Sequence, residues 1–253
     1  MGGKKPDILV TASVKEEVTP LIDALSLTSP KTLGGRLYFN GAWKNLSVAV
    51  LITGPGMINA AQAHTAAIEK ICPSSIIHTG CAGIFPESGG RIGDIALATR
   101  ETDIHSGIEQ DGGILPSPLP FPLLNTDSGP LYGTYPLDQR YIDRAETLLE
   151  PYVADSDIRL LKGPFVTVAT ITATEHKARI LTQAFAPVME SMEGASAAHV
   201  ARHYRIPFLE IRAASNWVGR RDKATWNLPL SFERCSRAVF HMIDRFSLME
   251  TVK

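Results

Sequence analysis

Two polar side chains stand where apolar runs end. Glu193 follows Val188-Met189-Glu190-Ser191-Met192 and precedes Gly194-Ala195-Ser196-Ala197-Ala198, and Asn216 closes Leu209-Glu210-Ile211-Arg212-Ala213-Ala214-Ser215. The first pattern reads as a short strand ending in a carboxylate, where a small-residue helix begins. The second reads as a buried strand ending in a carboxamide turn. An acid and an amide at neighbouring strand ends are suited to holding a ribose and a purine. The alternative for Glu193 alone is that it only complements the positive end of its helix.

A second acidic site follows the first apolar run, in Ser13-Val14-Lys15-Glu16-Glu17. Ser13 and Glu16 have capping-box spacing, which gives Glu16 a structural duty and leaves Glu17 without one. A carboxylate at a pocket mouth can take a proton from water and direct it at an electrophilic carbon. The alternative for Glu17 is a solvated surface position. Glycine-bearing turns are expected at Gly54-Pro55-Gly56 and at Gly80-Cys81-Ala82-Gly83, each after a strand. Ligands in open α/β sheets gather beyond the carboxyl ends of strands, so such turns can be pocket walls. Neither turn is a dinucleotide or P-loop fingerprint, and each taken singly also serves as a tight connection. No His, Cys or Asp set has zinc spacing, His78 with Cys81 being an isolated pair. There is no GxSxG elbow. His64, His176 and His199 fall within helical patterns and read as packing or surface residues.

The elements that must position these groups alternate between apolar strands and helices, which argues for a mixed central sheet covered on both faces. Strands are expected at 8–12, 47–53, 75–79, 94–99, 165–170, 188–192 and 208–213. A helix is expected over 59–71, and another to about Phe185 with Thr172-Ala173-Thr174-Glu175 as its capping box. The last runs from about Ser231 to Ser247, where Phe232, Cys235, Val239, Ile243 and Phe246 recur at helical spacing and leave Glu233, Arg237 and Asp244 outward. Length and composition fit one domain over 1–253. Apolar residues make up 44% and charged residues 20%, as in ordinary globular proteins. With 25 Lys plus Arg against 26 Asp plus Glu, nothing favours a nucleic-acid or membrane-surface partner. Cys72, Cys81 and Cys235 look like reduced thiols of a cytoplasmic protein. The opening Met1-Gly2-Gly3-Lys4-Lys5-Pro6 lacks the apolar run of a signal peptide, and no stretch approaches membrane-spanning length.

One region breaks the rhythm. Over 104–137, prolines at 116, 118, 120, 122, 130 and 136 rule out helix and central strand. A loop of this length in a compact domain is usually functional or disordered. A lid or a subunit contact is the expectation, a plain surface excursion the alternative.

Six ordered motifs together resemble the nucleoside phosphorylase and nucleosidase superfamily over nearly the whole chain. They are Ala12-Ser13-Val14-Lys15-Glu16-Glu17-Val18, Thr53-Gly54-Pro55-Gly56-Met57-Ile58-Asn59-Ala60-Ala61, Ile76-Ile77-His78-Thr79-Gly80-Cys81-Ala82-Gly83, Ile92-Gly93-Asp94-Ile95, Ser191-Met192-Glu193-Gly194-Ala195 and Arg212-Ala213-Ala214-Ser215-Asn216. The tail Ser215-Asn216-Trp217-Val218-Gly219-Arg220-Arg221-Asp222, with Trp226-Asn227, is similar to the futalosine hydrolase branch, which serves the alternative menaquinone pathway. The resemblance implies a single α/β domain with a mixed, partly barrel-like sheet, no cofactor or metal, a homo-oligomer, and a small purine nucleoside as substrate. It implies that Glu17 activates the attacking water. Met192 and Glu193 would pack on and hydrogen-bond the ribose, Glu193 accepting from the 2′- and 3′-hydroxyls. Cys81, Ala82 and Gly83 would wall the base pocket, with Ile171 and Thr172 near the base. Arg220 and Arg221 would meet the carboxylate arm on the 5′ side of futalosine, unless they only tie the loop together or face solvent.

Two departures from the pattern shape the expected function. Nucleosidases for methylthioadenosine and adenosylhomocysteine carry aspartate at the position of Asn216. Asparagine cannot give up a proton as an acid, but it offers one donor and one acceptor, which suits a 6-oxopurine such as hypoxanthine. The phosphorylase branch carries arginine at the position of His78. Phosphate needs fixed cationic donors, so hydrolysis is favoured over phosphorolysis. The expectation is hydrolysis of futalosine to hypoxanthine and dehypoxanthinylfutalosine. The alternatives are a purine nucleoside phosphorylase, a methylthioadenosine/adenosylhomocysteine nucleosidase and, from another class, a non-catalytic nucleoside-binding protein.

Overall fold

The computed structural model describes residues 5–27 and 29–250. The first four residues, on which the expectation of no leader partly rests, lie outside the described residues. The strands are β1 (Ile8–Ala12), β2 (Lys31–Leu33), β3 (Arg36–Trp43), β4 (Leu46–Ile52), β5 (Ile76–Ile84), β6 (Ile95–Asp103), β7 (Leu124–Thr126), β8 (Gly129–Leu131), β9 (Thr134–Pro136), β10 (Leu160–Thr167), β11 (Met189–Ser191) and β12 (Phe208–Trp217). The helices are α1 (Thr19–Ala24), α2 (Met57–Ile71), α3 (Gln139–Ala154), α4 (Glu175–Phe185), α5 (Gly194–His203) and α6 (Leu228–Glu250). No helix among the described residues is long and apolar enough to cross a membrane.

The main sheet runs β11-β10-β6-β12-β5-β1-β4-β3-β2, and an antiparallel pairing of β11 with β5 closes the first five strands into a ring. The result is the expected single α/β domain with a mixed, partly barrel-like sheet. β1 lies between parallel neighbours β4 and β5 and is buried along its whole length, as a strand covered on both faces must be. On one side α1, α3 and α6 share a core with β1 and β4, in which Cys235, Val239 and Ile243 of the α6 stripe are buried. On the other side the alanine-rich faces of α2 and α5 pack together and against the sheet. Small side chains there let the helix axes approach closely.

Several boundaries differ from expectation for local reasons. The Gly80–Gly83 segment is strand, because β5 keeps pairing with β12 as far as Ile84. Asn216 is likewise in a strand, next to a register shift between Ala214 and Asn216 that leaves Ser215 bulged; a bulge re-aims the side chains beside it. Helix α4 is capped by Thr174, whose hydroxyl accepts from the Lys177 amide, and not by Thr172. Within 104–137, Leu124–Thr126 and Gly129–Leu131 form a small hairpin, and β9 adds to the edge of β6. Pro130 and Pro136 therefore do lie in strands, in the short edge positions where a missing N–H is tolerated.

Candidate active site

Glu17 lies just beyond β1, buried to 1% exposure. Its Oε2 accepts from the Ser13 amide at 2.9 Å, the Ser13 hydroxyl at 2.8 Å and the Val14 amide at 3.1 Å. Its Oε1 accepts from the Cys81 amide on β5 at 2.9 Å. Ser13 and Val14 thus serve Glu17, where the sequence pattern assigned Ser13 to Glu16; Glu16 itself is exposed. The backbone of Glu17 is fixed as well, its carbonyl accepting from the Ser236 hydroxyl of α6 at 2.8 Å. Gly80 has φ +146°, and a methyl there would stand 2.5 Å from Glu17 Oε1 and 3.0 Å from Arg212 Nη1. Only glycine lets the carboxylate and the guanidinium close over β5.

Glu193 is the residue preceding α5, yet its side chain makes no capping hydrogen bond. The Ala195 amide in the first turn donates instead to Thr167 Oγ1 at 2.7 Å. Released from that duty, the Glu193 carboxylate faces the glycine turn after β4: Oε1 accepts from the Gly56 amide at 2.8 Å, and Oε2 lies 3.4 Å from Arg212 Nη2. Burial pushes its pKa up, opposed by Arg212 and the Gly56 amide.

Arg212 is the hub that the residue-type reading missed. It is 1% exposed. Nε donates to Glu210 at 2.8 Å, Nη1 to the Cys81 carbonyl at 3.3 Å, and Nη2 to His78 Nε2 at 2.7 Å. Burial opposes its charge, but Glu210, Glu193 and Glu17 more than offset that, and its pKa is raised. The signal was present in the sequence: Glu210 and Arg212 are two charges at i, i+2 in an apolar strand, hence on one face, and buried charges must pair.

His78 and His64 form a directional chain behind this hub. The Ala60 carbonyl can only accept, so His64 Nδ1, 2.7 Å away, carries the proton. His64 Nε2 then accepts from Thr11 Oγ1 at 3.0 Å, Thr11 accepts from His78 Nδ1 at 2.9 Å, and His78 Nε2 accepts from Arg212. Both rings are neutral in this arrangement. Burial lowers the pKa of His64 to about 4, and burial with the nearby Arg212 charge puts His78 well below its ordinary range. Both histidines are structural members of the site's support, beyond simple packing. His199 bonds Tyr135 at 2.9 Å, and His176 is exposed.

The Asn216 end is less enclosed. Asn216 Oδ1 accepts from the Ser215 hydroxyl at 2.8 Å, and its Nδ2 donates to the Trp217 carbonyl at 3.1 Å. Gly83 pairs with Asn216, and a methyl there would come 3.3 Å from Asn216 Nδ2. Cys81 and Ala82 precede it on β5; burial, then Glu17, raises the Cys81 thiol well above its usual pKa, which removes it as a nucleophile. Thr172 is buried and donates its amide to Glu190 Oε1 at 3.0 Å, while Ile171 is exposed. Met192 is half-buried against a cluster that includes Phe85, Val166, Val168 and Val218. Arg220 is exposed in the wall of a cavity of about 400 Å³ shared with Trp217, Glu87 and Glu175. Arg221 lies over the Trp226 ring, 5.0 Å from its centroid. Neither arginine joins the Arg212 network. Among the described residues, no group of three or more His, Cys, Asp or Glu is placed to hold a metal ion.

The β5 floor, the strand-end Glu17, the pre-helix Glu193 and Asn216 beside the Ser215 bulge thus gather at one end of a partly barrel-like sheet. The model of the phosphorylase superfamily matches residues 7–246, and the chain belongs to that superfamily. It is 27% identical over 224 residues to a 5'-methylthioadenosine/S-adenosylhomocysteine nucleosidase of Bacillus cereus, covering 87% of this chain and 90% of that protein. Its fold is similar to that of futalosine hydrolase from Helicobacter pylori, with a TM-score of 0.81 and 18% identity over 95% of this chain and 98% of the other. It is also similar to a Helicobacter pylori 5'-methylthioadenosine/S-adenosylhomocysteine nucleosidase bound to butyl-thio-DADMe-Immucillin-A, with a TM-score of 0.80 and 19% identity over 94% and 97%.

Proposed function

We propose that this protein hydrolyses the N-glycosidic bond of a 6-oxopurine nucleoside, with futalosine as substrate and hypoxanthine and dehypoxanthinylfutalosine as products. The observation that carries the reading is Glu17, a buried carboxylate held on both oxygens by four donors. Held this rigidly, it can orient a water and take its proton without reorganising as charge develops. The water oxygen adds to C1′ as the bond from C1′ to N9 breaks through an oxocarbenium-like transition state. The bond's electrons leave with the base, which takes up a proton from solvent at N7 and donates that N7–H to the Asn216 carbonyl. The proton received by Glu17 passes to solvent. Glu193 accepts from the ribose hydroxyls, with Met192 packed against the sugar.

Water as nucleophile is supported by how the cations are committed. His78 is neutral and buried, Arg212 is bound to Glu210, Glu193, Cys81 and His78, and Arg36 beside Gly54 is tied to Gln62 and Asn59. A phosphate nucleophile needs donors left free for it. The second reading, a methylthioadenosine/adenosylhomocysteine nucleosidase, is favoured by the names of the curated relatives. Asn216 argues against it. Incubation with futalosine, inosine and methylthioadenosine, each with and without phosphate, separates the readings. Free dehypoxanthinylfutalosine formed independently of phosphate is the expected result. A sugar 1-phosphate, faster turnover of methylthioadenosine, or no product at all would replace it with one of the alternatives.

A further inference from the structure

Glu193 is spared the first turn of α5 because Thr167, at the end of β10, takes that duty: its Oγ1 accepts from the Ala195 amide at 2.7 Å. A hydroxyl has one proton to give, and Thr167 gives it to Glu101 Oε2 on β6 at 2.6 Å. Glu101 is fully buried, and the hydrolytic step makes no use of it. Through one hydroxyl it supplies the acid that favours a helix N-terminus, and so leaves the Glu193 carboxylate to face Gly56 and Arg212.

The same side chain reaches Glu193 by a second route. A methyl on Gly194 would overlap both Glu101 Oε1 and Glu210 Oε2, so these two oxygens share the space beneath the residue that follows Glu193. Two carboxyls this close can hold one proton between them. Glu210 Oε1 accepts from Arg212 Nε at 2.8 Å, and Nη2 of that guanidinium lies 3.4 Å from Glu193 Oε2. Glu101 therefore meets the backbone after Glu193 through Thr167, and the Glu193 carboxylate through Glu210 and Arg212. We propose that Glu101 is a positioning residue for Glu193, which holds that carboxylate toward the sugar without touching substrate itself. The inference rests on the reading of Glu193 as the acceptor for the ribose hydroxyls.

Glu101→Met removes both routes at similar volume. Glu101→Gln keeps them, its carbonyl accepting from Thr167 and its NH₂ donating to Glu210. KM is measured for whichever of futalosine, inosine and methylthioadenosine the wild type cleaves fastest, and Kd for the free base of that nucleoside, with Glu193→Gln alongside. A displaced Glu193 loses charge-assisted hydrogen bonds to the ribose, so Glu101→Met should raise KM roughly 10- to 100-fold, as Glu193→Gln does. The free base has no ribose and should bind within a few-fold of wild type, and Glu101→Gln should keep the wild-type KM. Nucleoside and base weakened alike, no change in Glu101→Met, or Glu101→Gln as impaired as Glu101→Met would overturn the role of Glu101, while a raised KM in Glu193→Gln leaves the ribose reading standing. A wild type that cleaves none of the three, or Glu193→Gln with unchanged KM, would overturn both. Should Glu101→Met not fold, Thr167→Val cuts the route to α5 alone; the same split between nucleoside and base is expected from it, and its absence refutes the role.

Discussion

The two ends of the site are finished to different degrees. Around Glu17 and Glu193 the donors and acceptors close on one another: four donors on Glu17, an amide on Glu193, and Arg212 spread over two carboxylates, a carbonyl and a histidine. Around Asn216 the carboxamide bonds only its own neighbours. On the proposed function, the first end is preorganised for the charge that develops in nucleoside cleavage, and the second is left for a particular base to complete. Chemistry and specificity are thus physically separable here, and substitutions at the two ends should fail in different ways.

The largest effect is expected at the closed end. Glu17→Gln should lower turnover by roughly 10²–10⁴-fold, the scale for a lost general base, while hypoxanthine binding stays within a few-fold of wild type. Its NH₂ must also face a donor, and Oε1 opposite the single Cys81 amide is the least crowded choice. By contrast Asn216→Asp should leave the hydrolytic step running and narrow the preference for 6-oxo over 6-amino nucleosides. Steady-state kinetics on matched inosine-type and adenosine-type substrates checks both. Retention of more than about half the turnover in Glu17→Gln would make that glutamate a structural residue and erase the contrast between the two ends.

The sequence exposed this contrast unevenly. Glu17, Glu193 and Asn216 were legible because each interrupts or ends an apolar run, and all three lie at strand ends where the sheet brings them together. Their supports were not. Which of Glu16 and Glu17 takes the Ser13 amide depends on a short 3₁₀ turn at Lys15–Glu17, and capping-box spacing alone points to the wrong one. The β1, β4 and α6 patterns carried their signal in strong apolar periods. β2 and β3 did not, because the exposed and half-buried β3 alternates weakly. The antiparallel pairing of β11 with β5 was hidden as well, because no local period encodes that ring closure.

A smaller effect should sharpen the boundary of the open end. Beyond Asn216 the chain runs through Trp217 to Arg220 and Arg221, outside the Arg212 network and exposed. Guanidinium can grip a carboxylate bidentately, and a benzoate arm on the substrate's 5′ side would give these arginines a purpose. Each is replaced singly by methionine. An arginine that binds the arm should raise KM for futalosine roughly tenfold or more, in line with a lost charged hydrogen bond, and hardly change it for inosine. Equal changes for both substrates would assign Arg221 to its Trp226 stack and Arg220 to the loop.

The smallest effect concerns a gap in the closed end. Glu101 Oε1 and Glu210 Oε2 are buried without hydrogen bonds, yet a methyl on Gly194 would meet both, so they share one small space under the start of α5. A single proton on the pair would bridge them. Burial, and then the Glu210 charge, holds the Glu101 pKa well above the usual carboxylate range. A carboxyl whose pKa is raised by folding contributes stability that is complete below its unfolded value, near 4.3, and is lost as pH rises through the folded value. Glu101→Gln mimics the protonated form, its carbonyl accepting from Thr167 as Glu101 Oε2 now does at 2.6 Å, and its NH₂ donating toward Glu210. The variant should match wild type in Tm at pH 5 and exceed it at pH 8 by about 2–4 °C, the shift that 1 kcal/mol produces in a domain of this size. An identical fall in Tm between pH 5 and pH 8 for both proteins would show that the pair does not titrate there, and that the closed end holds its proton by other means.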